Sequence, residues 1–533
     1  MNLPHEELLP FTRKLAADIV TSRQEGTDGM TAYVVDTTGG KVRGAEIDEG
    51  VLAWRGIPYA APPVGPLRLR LPQPAEPWSG VRDALAYGAP ALQPPALIPA
   101  GTTSFADAPV LPEPSEDCLY VNVTAPADAE GLPVVLWIHG GGYQVGAGSD
   151  IAGDGRTFAR RHGVVVVTFN YRLGALGFLA VDGEEHTGAF GLHDQIAALR
   201  WVHENIAGFG GDPDRITVYG LSAGAKSVAN LLASPLTRGM IHRAASSSGG
   251  ADHVADRAQD AAVARRFLRA LGAGAEHLWK VSAKEILDAQ TALGEGVRTT
   301  WLWRPSIDGL ALTGKPLDAI AAGAAAGVSL LAQTCVNECA LYQLLDPDAA
   351  DQADRVLEEY FGAAARDRIL AAYVAARPEL AQDPVQLRVD VMTDERYGIP
   401  TARLADAQSA HAPVWRSRYD VPLTGLPRSV APSGTLPAFH GTDDDAVWLG
   451  GPGVNQRLHD AWGAFVTTGV PTAEGLPDWP AYSTARRATM VFDAAGARTV
   501  DDPRGARRAV WDGRVWQSGT WWPLDGSGAQ RHS

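Results

Sequence analysis

Two short glycine-rich segments carry the residue types needed for acyl transfer. Gly220-Leu221-Ser222-Ala223-Gly224 fits G-x-S-x-G and lies between an apolar run at 216–219 (ITVY) and a helical pattern at 223–233. Strand, tight turn and helix are the context in which a serine hydroxyl is pushed out above a sheet as a nucleophile. The helix N-terminus beside it favours the negative charge that develops during acyl transfer. His139-Gly140-Gly141-Gly142-Tyr143 follows a second apolar run, 134–139 (VVLWIH). Its glycines let backbone N–H groups approach a substrate oxygen closely. Gly141, Gly142 and Ala223 are the expected oxyanion donors. A serine hydroxyl is a weak nucleophile alone, so Ser222 needs a base, and the base needs an orienting acid. Thirteen histidines compete for the first role.

The elements that must position these groups read as an α/β fold. Buried parallel strands are expected at 134–139, 164–169, 216–219, 328–332 and 414–419, all short runs rich in Val, Ile or other apolar residues. Residues 194–206 place Ile196, Leu199, Trp201, Val202 and Ile206 largely on one helical face. Alternation of strand and helix predicts a large, mostly parallel sheet covered on both faces. Residues 345–410 read as a mostly helical insertion or cap, and 1–30 as an N-terminal extension ahead of one domain over 31–533.

Composition narrows the function classes. The 533 residues are 45% hydrophobic and 20% charged, which excludes wholesale disorder. A net charge of −15 disfavours nucleic-acid binding, which needs a cationic surface. Six of the 46 basic residues are lysine, a bias that fits a GC-rich bacterial genome. Cys118, Cys335 and Cys339 are too few, and odd in number, for a disulfide framework. The N-terminus carries Glu6 and Glu7 and no apolar core of a signal peptide, and the weakly apolar stretch 320–332 is too short to span a bilayer. The expectation is a cytoplasmic protein with no membrane or nucleic-acid partner.

Further strings resemble the type-B carboxylesterases, the family of bacterial p-nitrobenzyl esterases, mammalian carboxylesterases and cholinesterases. They are WRGIPYAAPPVGPLRLR (54–70), EDCLYVNV (116–123), NYR (170–172), GLHDQIAALRWV (191–202), FGGDPDRITVYG (209–220), DAWGAFVTTGVP (460–471) and LPDWPAYS (476–483). The resemblance implies an α/β-hydrolase fold, no cofactor, no catalytic metal and a small-molecule ester substrate, in a monomer or homodimer. It places the base at His440, in Ala438-Phe439-His440-Gly441, and the acid at Glu338, where Asn337 and Cys339 stand in place of the family's Asp and Gly. His139 is the main decoy, and Asp308 belongs to a structural turn of the family. The acidic run Asp443–Asp445 lacks the spacing of a calcium loop and reads as a solvated loop.

The departures are informative. Leu221 stands where most members have Glu, so an active-site carboxylate is missing. Ala91 stands where the family often has the half-cystine that pairs with the position of Cys118, so Cys118 is expected to be a free thiol. By the family's register Thr299 and Trp301 line the acyl pocket, where a Trp would favour small acyl groups. Lys226 is expected on the first turn of the helix after the serine, facing solvent. A biosynthetic acyltransferase or cyclase using the same three residues stays open, as does a binding protein on the same scaffold.

Overall fold

The computed structural model describes residues 33–94, 111–181, 186–294, 302–345, 353–426 and 433–516. The extension expected at 1–30, and the pocket candidates Thr299 and Trp301, lie outside these residues. Fifteen strands are present among them: β1 Tyr33–Thr37, β2 Gly40–Asp48, β3 Val51–Pro58, β4 Val81–Asp83, β5 Tyr120–Pro126, β6 Leu132–Ile138, β7 Val165–Phe169, β8 Gly211–Leu221, β9 Arg243–Ser247, β10 Ser329–Cys335, β11 Val414–Tyr419, β12 Leu423–Thr424, β13 Thr435–Leu436, β14 Ala488–Asp493 and β15 Gly496–Asp501. Twelve of them form one sheet in the order β1-β2-β3-β5-β7-β6-β8-β9-β10-β11-β14-β15, with β4 beside β2. The central run from β7 to β14 is parallel, and the flanking pairs on that path are antiparallel. This is the α/β-hydrolase architecture expected.

Period-two alternation builds two cores from one sheet. Val134, Leu136 and Ile138 of β6 face one cluster, with Leu192, Ile196 and Leu199 of the helix Phe190–Asn205 and Val228 and Leu231 of the helix Ala223–Ala233. Val135 and Trp137 face the other, with Phe158 and with Leu458, Trp462 and Phe465 of the helix Val454–Thr468. Between β10 and β11 the described residues are mostly helical, with Ala340–Leu345, Ala353–Phe361, Ala363–Ala376, Pro384–Thr393 and Ile399–Ser409. A π-helical turn, Asp394–Gly398, joins the last two. Among the described residues no helix is long and apolar enough to cross a membrane.

Candidate active site

Strand β8 ends at Leu221, and Ser222 turns the chain sharply into the helix Ala223–Ala233 with φ 59° and ψ −120°. A side chain in that region costs on the order of 1–3 kcal/mol and persists only where its surroundings enforce it. The flanking glycines are those surroundings. A Cβ on Gly224 would stand 2.0 Å from the Ile138 carbonyl oxygen, and one on Gly220 would stand 2.3 Å from the Gly224 carbonyl. The Ser222 N–H donates to the Ser247 carbonyl at 2.9 Å, which ties the turn to the end of β9. Ala223 is the first residue of the helix, so its N–H has no acceptor inside that helix.

The glycine loop after β6 lies on this turn. A Cβ on Gly140 would meet Ser222 Cβ at 3.2 Å and the Leu221 carbonyl at 3.0 Å. Gly141 and Gly142 take φ of 98° and 63°, and Tyr143 follows at 61°. The Gly141 carbonyl accepts the N–H groups of Gln144 and Val145, at 3.0 and 3.1 Å, so the loop is a closed turn. His139 is buried at its base, stacked on Tyr171 with centroids 4.3 Å apart, and burial lowers its pKa to about 4. It is a neutral structural imidazole.

Glu338 follows the end of β10 and is fully buried. Its side chain folds back on the strand: Oε1 accepts the Cys335 N–H at 2.7 Å and the Ser248 hydroxyl at 2.6 Å. Oε2 lies 2.7 Å from Nδ1 of His440, whose backbone N–H also reaches the Glu338 carbonyl at 3.3 Å. Ser247 and Ser248 therefore bridge the Ser222 turn to the Glu338–His440 pair. The imidazole packs against Tyr397 at 4.6 Å and Tyr342 at 5.9 Å, centroid to centroid. Their hydroxyls are 2.5 Å apart. Ser248, Tyr342 and Tyr397 had no signal in the sequence motifs, because β9 and the helical insertion reach the site only through the fold. The substituted Cys339 packs into a small core with Val356, Met392 and Tyr397, filling space beneath the insertion.

Two expectations need correction. Lys226 does not face solvent: it is 1% exposed, with Nζ 3.5 Å from Asp252 Oδ1 and 3.4 Å from the carbonyls of Gly249 and Arg396. Burial lowers its pKa, which the Asp252 carboxylate opposes. The run Asp443–Asp445 is not a solvated loop either. Asp443 is fully buried, accepting from Gln333 Nε2 at 2.6 Å and from the Ser247 hydroxyl, and Asp444 is buried beside Tyr219. Asp308 pairs with His193 at 2.7 Å and caps the N–H groups of Leu310 and Leu312, away from the serine. Leu221 is half-buried, and its Cδ2 would lie 4.0 Å from a Cβ on Gly441, beside the His440 turn. Cys118 is a buried free thiol whose pKa burial raises, and Ala91 bridges to Ser115 rather than to it.

Residues 31–511 match the model of the carboxylesterase family. The chain is 38% identical over 498 residues to the para-nitrobenzyl esterase of Bacillus subtilis (strain 168), covering 90% of this chain and 98% of the relative. It is 34% identical over 511 residues to the phenmedipham hydrolase of Pseudarthrobacter oxydans, covering 89% and 97%. A solved PNB esterase structure superposes with a TM-score of 0.78 at 36% identity, over 90% of this chain and all of that one (100%).

Proposed function

The chain belongs to the carboxylesterase family and is a carboxylic ester hydrolase, and we propose that Ser222, His440 and Glu338 carry out the reaction through an acyl-enzyme. The observation that supports this most directly is the 2.7 Å contact between Glu338 Oε2 and His440 Nδ1, on a carboxylate with no solvent exposure. That contact leaves Nε2 as the imidazole nitrogen free to act on the serine. Ser222 attacks the ester carbonyl as His440 takes its proton. Glu338 holds the tautomer and stabilises the imidazolium. The N–H groups of Gly141, Gly142 and Ala223 receive the developing oxyanion, each worth roughly 2.7–4 kcal/mol in the transition state by comparison with measured donors. His440 returns the proton to the leaving alcohol. Water, deprotonated by His440, then releases the acid and restores Ser222. No metal or cofactor enters these steps.

Small acyl groups are the proposed preference, from the register that puts Thr299 and Trp301 in the acyl pocket, and Leu221 in place of a carboxylate disfavours cationic choline esters. The enzyme is proposed to work as a monomer or homodimer, in the cytoplasm. The test is turnover of p-nitrophenyl esters from acetate to octanoate, with p-nitrobenzyl acetate as an alcohol-side probe suggested by the Bacillus relative. Turnover that falls with acyl length in the parent, and is lost by roughly 10⁶-fold in kcat in Ser222→Ala, is the expected result. Ester turnover that survives Ser222→Ala would remove the triad reading. A folded parent that transfers acyl groups to an added amine or alcohol faster than to water would favour a biosynthetic acyltransferase.

A further inference from the structure

We infer that His162, His459 and Asp460 form a binding site for a divalent transition-metal cation of the zinc class, remote from the serine and joining two helices. His162 is the last residue of the helix Arg156–His162, and His459 and Asp460 lie in the helix Val454–Thr468. One donor atom from each of the three side chains lies within 4.8 Å of the others. The two imidazole rings are 4.6 Å apart, centroid to centroid, over the ring of Phe158.

The hydrogen bonding of the two rings points to a ligand. His459 is fully buried, and its Nδ1 is 2.7 Å from the Val447 carbonyl. A carbonyl can only accept, so Nδ1 carries the hydrogen and Nε2 of the neutral ring keeps a lone pair. That Nε2 is buried and has no hydrogen-bond partner among the described residues, and the same holds for Nε2 of His162. Leaving one such atom unsatisfied costs the desolvation penalty of a buried polar group. No partner fixes the hydrogen of His162, so its Nε2 is free to take the lone-pair form as well, and two such atoms on neighbouring rings suit a shared occupant that accepts lone pairs. An imidazole whose other nitrogen donates to a backbone carbonyl is the usual state of a metal ligand.

The helix is also shaped for the second ring. A Cβ on Gly463, one turn after His459, would stand 2.2 Å from Nδ1 and 2.3 Å from Cγ and Cε1 of His162. The glycine leaves a notch that His162 fills. Asp460 is held by Arg161, at 2.6 and 3.0 Å, and by Gln456 at 3.0 Å. A carboxylate has about four lone-pair directions, so one remains for a metal while Arg161 becomes its outer partner.

Two imidazoles and one carboxylate suit zinc, with water in the fourth position. Magnesium and calcium prefer all-oxygen sets and are disfavoured. Tetrahedral bonds of about 2.0–2.1 Å put ligand atoms ~3.3 Å apart, so the donors close inward on binding. The site lies on the Trp137 face of the sheet, opposite the helix Ala223–Ala233. Through Val447 it reaches the helix Asp444–Trp448, which follows the His440 turn. Its role is to clamp this side of the fold, leaving ester turnover intact.

The experiment is a titration of the untagged full chain with Zn²⁺ against a chromophoric chelator, paired with thermal unfolding in Zn²⁺ or Mg²⁺. The expected result is one Zn²⁺ per chain and a midpoint raised by Zn²⁺ but not by Mg²⁺. Co²⁺ in its place should show the intense visible bands of four-coordination. His162→Ala should weaken binding by at least ~100-fold, since losing a ligand exceeds the 10–100-fold cost of losing its outer partner. Asp460→Asn, at a partly exposed position, and Gly463→Ala, which closes the notch, should weaken it too while p-nitrophenyl acetate turnover is kept. No stoichiometric binding by the parent overturns the inference and leaves the pocket to water. Binding unchanged in Asp460→Asn and in whichever of the other two variants folds also overturns it.

Discussion

Ser248 donates its hydroxyl to Oε1 of Glu338 at 2.6 Å, on the carboxylate oxygen opposite the one that meets His440. With the Cys335 N–H on the same oxygen, the carboxylate is held on one oxygen by two donors and presents the other to the imidazole. Ser248 also takes φ 57°, so its backbone is strained to place that hydroxyl. Ser248→Ala is expected to lower kcat about 10-fold with KM unchanged, by analogy with the loss of an outer-shell partner. Ser248→Gly accepts the positive φ but lacks the donor. It should show the same kcat loss with better stability than the alanine, by ~1 kcal/mol. Steady-state kinetics and thermal unfolding of the two variants separate positioning from strain. A glycine variant with parental kcat would assign the residue to the backbone alone.

The glycine turn proposed to bind the oxyanion makes a sharper demand. A Cβ on Gly141 would stand 2.0 Å from the Val145 carbonyl oxygen, at a φ of 98° that side chains rarely adopt. Gly141→Ala must therefore move the turn and take at least one N–H off its line. The expected loss is about 10²–10³ in kcat, the measured scale for one oxyanion donor. Kinetics on p-nitrophenyl acetate, with circular dichroism to show an intact fold, checks it. Parental kcat in a folded variant would mean that the oxyanion is held elsewhere.

These two cases show what the sequence could and could not convey. The turns at Ser222 and Gly141 are legible because a tight turn and a close backbone approach admit few residue types, so the geometry is written into local spacing. The core strands were legible for a similar reason: burial on both faces leaves continuous apolar runs such as Val134–Ile138. Strand β9, Arg-Ala-Ala-Ser-Ser, was not, because it has no run of large apolar residues, and its last residue, Ser247, and the following Ser248 hydrogen-bond to Asp443 and Glu338. Lys226 reads as solvent-facing because a lone lysine early in a helix usually lies there. Its partners, Asp252 and the carbonyls of Gly249 and Arg396, come from segments that only the fold brings near. Asp443 misleads in the same way. Three adjacent acids read as surface until Gln333, from β10, is seen to pair with the first.

Leu221 invites a charge test. It ends β8 next to Ser222 and reaches toward Gly441, beside the base. A carboxylate there would stabilise the imidazolium, because an opposite charge within ~4–6 Å favours the charged form and moves the pKa by about one or more. Leu221→Glu is therefore expected to move the acid limb of the kcat/KM profile to higher pH. Cationic choline esters should gain relative to neutral ones of the same acyl length. Profiles of parent and variant between pH 5 and 9, as experimental settings spanning about two pH units either side of neutrality, decide it. Superimposable profiles would show that position 221 does not communicate with the base.

Asp150 ties stability to pH. It sits just beyond the glycine loop, where Oδ2 accepts the Ala147 N–H at 2.7 Å. Burial raises its pKa from the ordinary 3.8 to about 7, and the Ala147 hydrogen bond only partly opposes this. The folded protein therefore keeps a proton that the unfolded chain has released over that window. Below pH 3.8 both states hold it, and the carboxyl costs nothing in relative terms. As pH rises through the window the unfolded state binds fewer protons than the folded one, so stability falls, and it levels off above about 7. Asp150→Asn keeps an acceptor for Ala147 and cannot ionise. It should match the parent near pH 4 and exceed it at pH 8 by a few kcal/mol, on the order of 1.4 kcal/mol for each pH unit that separates the folded and unfolded titrations. Thermal midpoints of both proteins across that range measure the difference. A constant gap at every pH would mean that Asp150 ionises in the folded protein as readily as in the unfolded chain.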